Sequence, residues 1–258
     1  PFFSSRCRHT RLCKLSRGLG DVYKRQGVGR FSRRPDLAAL AALYSFGALL
    51  NAFGMVSPVY RVQDWLAGLL GTDSEVILLA ILFIAGLGIS PMVLLSLVGW
   101  LSLRWGQGRS RDQASLPPLR VWVTRYSYAL LPLGFGMWLA HYSFHFLTGF
   151  WNFVPVVQRF VADMLGSPLL GAPRWDLGAL LPAAWLDPLE IGLLGLGWFG
   201  SLLAAYRLAE KDTARHSGDT RWVWRAFLPW AALSTLLLAS AIWLMSQPME
   251  MRGMPMMG

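Results

Sequence analysis

The chain has 258 residues, of which 54% are hydrophobic and 15% charged, and its mean hydropathy is +0.41. Soluble domains carry about 25% charged residues, so an ordinary water-soluble globular domain is excluded, and repeated apolar runs of about 20 residues place the chain among multi-span membrane proteins. A net charge of +10 and 13 Trp fit that class, because basic loops set topology and indole rings favour the headgroup level.

Part of that charge belongs to the first 26 residues. Phe3-Ser-Ser-Arg-Cys-Arg-His-Thr-Arg11 and Asp21-Val-Tyr-Lys-Arg-Gln26 resemble translated sequencing-adapter read-through. Residues 1–30 are therefore read as a non-native or disordered basic leader, the competing reading being a basic cytoplasmic leader. No apolar core follows the charges, so this is not a secretory signal. Residues 1–26 hold seven of the 24 Lys/Arg and one of the 14 Asp/Glu, which leaves 17 against 13 and a net of +4. They also hold both cysteines, Cys7 and Cys13. The remainder has no thiol for a disulfide, a thiolate metal site or an iron–sulfur cluster. On the artefact reading the true N-terminus lies upstream and the chain is a C-terminal fragment.

Residues 31–247 read as one transmembrane helical domain and 248–258 as a Met-rich flexible tail. Arg30, Arg33 and Arg34 precede a first span at about 37–56, in which Asp36 complements the helix dipole, Asn51 is the one strongly polar side chain and Pro58 closes the run. Residues 60–75 form a short loop, with an interfacial turn of helix over 62–70. A second span at about 76–103 is long for one crossing, so tilt or a kink at Ser90-Pro91 is expected. Gly86 and Ser90 offer a close-packing surface. Polar residues 104–125 lead to a third span at about 126–150, with Pro132 near its start and Gly136 and Ala140 as a second close-packing pair. Residues 154–165 set apolar side chains at helical spacing around Gln158, Arg159 and Asp163, an interfacial helix. A Pro- and Gly-punctuated loop over 171–188 follows. The fourth span, about 189–206, has Gly192, Gly195, Gly197 and Gly200 for tight packing, and Glu190 at its mouth as a charge complementing the helix N-terminus. Basic residues 207–225 precede a fifth span at about 226–245. The expected fold class is all-α: a polytopic bundle of about five spans with one interfacial helix.

Lys/Arg counts in short loops set orientation. The segments before the first span, between the second and third, and between the fourth and fifth hold three, five and five after residue 26; the alternate segments hold one (Arg61), two (Arg159, Arg174) and one (Arg252). This alternation predicts an N-terminus in the cytoplasm and a C-terminus outside a bacterial inner membrane. His145 then lies nearer the outer face than His141. The basic loops serve as topology signals and contacts to anionic membrane lipids, and nothing in them points to nucleic acid.

The most informative stretch is Met137-Trp-Leu-Ala-His141-Tyr-Ser-Phe-His145-Phe146. Residues four apart share a helix face, so Gly134, Met137, His141, His145 and Thr148 form one small-or-polar stripe. Phe135, Trp138, Tyr142, Phe146 and Phe150 occupy the other faces. Ionisable groups inside a membrane are costly and usually face a bundle interior. Neutral imidazole suits haem iron, copper and zinc. One haem needs ligands from opposite sides of its ring, which two histidines on one helix face cannot supply, and His216 lies in a basic loop. A haem would take a histidine with Met137 or with a partner subunit, whereas copper or zinc suits the spacing better. The alternative is two histidines hydrogen-bonded to backbone or hydroxyl groups. In the tail, Met249, Met251, Met254, Met256 and Met257 offer soft thioethers that select Cu(I), or else form a flexible, composition-biased end. No phosphate loop, dinucleotide fingerprint, Ser-His-Asp order, paired membrane carboxylates or membrane proton relay is present.

Three patches carry a family resemblance: Gly136-Met-Trp-Leu-Ala-His-Tyr-Ser-Phe-His-Phe-Leu-Thr-Gly149, Val154-Pro-Val-Val-Gln-Arg-Phe160 and Gln247-Pro-Met-Glu-Met-Arg-Gly253. They resemble the membrane portion of polyferredoxin-type iron–sulfur membrane proteins, in layout over residues 31–258. The resemblance implies electron transfer between a cytoplasmic ferredoxin-like domain and a membrane or outer partner. That family's cysteine clusters have no counterpart after residue 26, so no cluster ligand carries over, and a cluster domain would lie upstream. The expected function is the membrane part of an electron-transfer protein, with Met137, His141 and His145 near a cofactor or near contact with a redox partner subunit or missing upstream domain. A second expectation is an outer-face copper-handling or oxidase-assembly protein using Met137, His141, His145 and the tail methionines. The third is a membrane scaffold without a cofactor.

Overall fold

A computed structural model describes residues 34–106, 117–175, 177, 180–214 and 220–247. The leader with Cys7 and Cys13, His216, and the tail with Met249, Met251, Met254, Met256 and Met257 lie outside the described residues. Every element among the described residues is helical. In chain order these are α1 (Pro35–Phe53), α2 (Ser57–Leu70), α3 (Glu75–Phe83), a π-helical turn (Ile84–Ile89), α4 (Ser90–Gly106), α5 (Leu119–Ser127), a 3₁₀ turn (Tyr128–Leu130), α6 (Leu131–Gly149), a second 3₁₀ turn (Phe150–Asn152), α7 (Phe153–Leu165), a third 3₁₀ turn (Ala183–Trp185), α8 (Leu186–Ala214) and α9 (Thr220–Met245). The all-α bundle expected from the sequence is the fold.

Four helical stretches are long and apolar enough to cross a membrane: Pro35–Phe53, Glu75–Gly106, Leu186–Asp212 and Thr220–Met245. They make this a multi-pass integral membrane protein, since in lipid a helix satisfies all its backbone groups internally. The expected third span is a different case. Its helix, α6, has 19 residues, enough for about 28 Å at 1.5 Å per residue. His141, His145, Ser143, Tyr142 and Trp138 lower its apolarity below that of the other four. It packs inside the bundle against α1 and α8, and only its aromatic stripe of Phe135, Trp138, Tyr142 and Phe146 is exposed.

The basic residues gather at one end. There the Arg125 guanidinium pairs with the Asp212 carboxylate, Tyr128 Oη donates to Arg34 O at 3.0 Å, and Ser102 Oγ donates to Ala226 O at 2.6 Å while accepting from Trp122 Nε1 at 3.0 Å. Tyr126 stacks between Trp122 and Trp230, with ring centroids 4.9 and 5.2 Å away. These contacts bring the start of α1, the end of α4, α5, the end of α8 and the start of α9 together. The helices thus alternate in direction, and the opposite end, here the histidine end, carries the exposed Arg61, Arg159 and Arg174.

Three local expectations change. Pro58 does not close the first span: Gly54 follows α1, and Ser57-Pro58 opens α2, where a missing N–H is harmless. The expected interfacial turn is a 14-residue helix ended by Gly71 at φ 63°. The kink expected at Ser90-Pro91 takes the form of the π turn just before it. There Ser90 N–H donates to Ala85 O, five residues back, so one extra residue is absorbed in the turn that precedes the proline. α7 matches the expected interfacial helix. Only Pro155 is buried, while Phe153, Val156, Phe160 and Met164 leave an apolar face uncovered. Gln158 ties it to the next loop, donating to Leu170 O and accepting from Arg174 N–H, both at 2.9 Å.

Close helix approach depends on glycine at a few positions. A Cβ on Gly136 would lie 2.8 Å from Leu193 O and 3.1 Å from Gly197 Cα, and one on Gly134 would lie 2.7 Å from Ser45 Cα. Gly197 would meet Pro132 O at 2.6 Å, whereas Gly192 and Gly195, expected to serve the same packing, have nothing within 4 Å. Gly136→Val is expected to cost about 1–3 kcal/mol of stability, as overpacked cores do. Gly195→Ala should be neutral or add up to about 1 kcal/mol through helix propensity. Thermal unfolding in detergent separates the two; equal melting temperatures would show that the α6–α8 crossing does not set stability.

Candidate functional site at the histidine end

α6 projects Met137, His141 and His145 from one face, as the four-residue spacing predicts. Met137 and His141 are each 1% exposed, and His145 is half-buried. The imidazole rings of His141 and His145 meet edge to face, with centroids 4.8 Å apart at 83°. Met137 packs with Ala48 and Ala52 of α1, Ala140 of α6, Leu194 of α8 and Ala241 of α9. Along the same stripe, Gly134 lies against Ser45, and Thr148 Oγ1 is used up by Phe144 O at 2.7 Å.

The sequence left open whether the histidines are hydrogen-bonded to backbone or hydroxyl groups. Neither Nδ1 nor Nε2 of His141 has a partner among the described residues, nor has Nε2 of His145. A neutral imidazole carries one donor and one acceptor, and each one buried without a partner costs about 1–3 kcal/mol. Most buried polar groups are satisfied; these are not, although hydroxyls such as Ser45 Oγ and Ser201 Oγ in the same bundle are.

A residue assigned only a helix-terminal role joins them. Glu190 is 5% exposed, and its Oε1 is buried with no hydrogen-bond partner. The register of α6 on α8 gives its depth. Leu133 N–H donates to Ser201 Oγ at 2.9 Å, Gly136 faces Leu193 and Gly197, and Leu194 packs with Met137 and Ala140. The two helices are antiparallel, so one turn further toward the histidine end stands Glu190 on α8 and His141 on α6. Glu190 therefore does not lie in a solvated helix mouth. The legible signal was its place in the stripe Leu186, Glu190, Leu194, Gly197, Ser201, Ala205, all of it buried. Asp212, counted as a loop residue, is likewise buried, but it has Arg125.

Among the described residues no three His, Cys, Asp or Glu side chains are grouped closely enough to hold a metal ion. The two imidazoles, one turn apart and in contact, are a borderline donor pair of the kind copper takes, with the Met137 thioether one turn further along the same face. The set does not fit an iron–sulfur cluster, because residues 34–247 contain no cysteine. Nor does it fit a haem within the bundle, because a side chain 1% exposed has no space for a macrocycle beside it. No family model, curated protein or solved structure matches this chain.

If His141 has no structural partner, His141→Leu removes an unsatisfied polar group at similar volume. Its melting temperature in detergent should equal or exceed that of the wild type. A loss of about 2 kcal/mol or more would mean that the imidazole makes a hydrogen bond that stabilises the bundle.

Proposed function

We propose that this integral membrane protein is the membrane part of an electron-transfer protein, and that His141 and His145, backed by Met137, hold a redox-active copper ion at the histidine end of the bundle. The observation that carries this reading is the set of buried imidazole nitrogens without partners among the described residues on two histidines in edge-to-face contact. Buried polar groups left unpaired are costly, and a bound ion is one reason they are kept. The resemblance to polyferredoxin-type membrane proteins supports the electron-transfer part. Its Gly136-to-Gly149 patch contains both histidines, and its Val154-to-Phe160 patch is the adjoining amphipathic α7. Copper supplies a one-electron couple when bound; the chain supplies two nitrogens, a thioether and exclusion of water.

Copper handling at the outer face, the second reading, is favoured by Met249, Met251, Met254 and Met256. The two readings divide on whether the bound metal passes electrons or is itself the cargo. The positive-inside rule supports a cytoplasmic N-terminus, an outer C-terminus and a bacterial inner membrane, with the arginine end inward and the site outward.

Metal analysis and an optical spectrum of the purified protein test the site. The expected result is one copper per chain in the wild type and none in His141→Ala/His145→Ala. A wild type free of metal and colour would leave the histidines without a ligand and return the chain to the scaffold class. Orientation is tested separately in a background lacking Cys7 and Cys13. An impermeant maleimide added to intact cells should label Thr72→Cys and spare Ser217→Cys; the reverse pattern would invert the topology.

A further inference from the structure

The geometry points to Glu190 as the anionic group that balances a cation held by His141 and His145. This deepens the copper reading above and rests on it. Two neutral imidazoles and a thioether bring no negative charge, so the ion they hold keeps its full positive charge. In a bundle core that charge is costly unless an anion lies at the same depth. α8 supplies one. Glu190 is 5% exposed, has an unpartnered buried oxygen, and stands one turn past Leu194 just as His141 stands one turn past Met137, across an interface where Leu194 and Met137 pack together.

No cation among the described residues competes for it. The basic side chains of the histidine end, Arg61, Arg159 and Arg174, are all exposed, and Arg159 lies 3.7 Å from Asp163. The register of α6 on α8 sets His141, and one turn on His145, across from Glu190, and the exposed Asp187 from α8 itself is its acidic neighbour. Among the described residues the neighbouring end of α9 brings Met245, Ser246 and Gln247, none of which carries charge. The contrast with Asp212 is informative: the other buried carboxylate of α8 has an arginine from the same protein, and Glu190 has none among the described residues. Because no three-residue metal group forms, Glu190 acts through the field across the interface and not as a direct ligand. At the low effective dielectric of a bundle interior, a unit charge within several ångströms changes a cation's affinity on the order of tenfold or more.

The test is Cu(I) affinity of the full chain in detergent, measured by competition with a chromophoric chelator. Glu190→Gln keeps the shape and removes the charge, and is expected to weaken binding at least tenfold. Glu190→Asp should stay within about threefold of the wild type. Asp187→Lys sets a cation one turn away at an exposed position, and should weaken binding in the same direction; it decides the matter alone if Glu190→Gln fails to fold. A wild type that binds no copper overturns both this inference and the copper reading. A wild type that binds copper, with Glu190→Gln and Asp187→Lys at wild-type affinity, overturns the counter-charge and leaves the copper reading standing.

Discussion

The close crossing of α6 over its two neighbours is the contact on which the rest of the arrangement depends. Lipid tails are as apolar as leucine, so membrane helices gain little from hiding apolar surface against one another and associate through close packing. α6 achieves this on two sides at once, with Gly134 against Ser45 of α1 and Gly136 against Leu193 and Gly197 of α8. The backbone bond from Leu133 to Ser201 Oγ fixes the register. Once those positions are set, the 100° step of the helix turns Met137 and His141 inward and Phe135, Trp138, Tyr142 and Phe146 outward. The direction of the histidines is therefore a consequence of glycine placement several residues earlier.

The two ends of the bundle differ in how they treat buried ionisable groups. At the arginine end Arg125 pairs with Asp212, Ser102 bonds with Ala226 O and Trp122, and Ser127 with Val123 O, while Trp230 Nε1 is buried without a hydrogen-bond partner among the described residues. The stack of Trp122, Tyr126 and Trp230 adds aromatic contacts, each worth about 0.5–1.5 kcal/mol beyond area burial. At the histidine end His141, His145 and Glu190 keep unpartnered atoms. At that end the unpartnered atoms belong to three ionisable side chains, a local destabilisation where the bundle's most chemically capable groups lie.

Much of this was legible in the sequence, and the exceptions have physical causes. Apolar runs gave the helices because membrane spans must be long and continuous. The four-residue spacing gave the shared face of Met137, His141 and His145 because helix geometry is rigid. The same reasoning credited Gly192 and Gly195 with packing that only Gly197 and Gly200 perform. Spacing alone does not say which face meets a neighbour. Pro58 was taken for a terminator because proline disrupts helix interiors, yet at the first turn of α2 it is an initiator. Glu190 and Arg125 were read as surface charges because each lies within a turn or two of a predicted span end. Whether such a residue reaches water depends on which helices pack over it, and that is a tertiary fact.

The burial of Glu190 also bears on why the histidines can be tolerated. Two neutral imidazoles without partners would be a plain cost, and apolar residues of the same size would fill the space better. A buried carboxylate without a cation is a second cost of the same kind. Placed at one depth on facing helices, the two costs are complementary: the imidazole nitrogens lack a partner and the carboxylate lacks a cation. Both are relieved together by a single cation, and neither by a proton-neutral packing change. On the copper reading, that pairing across the α6–α8 interface is what a binding site for a cation requires of a structure whose backbone is already held by glycine.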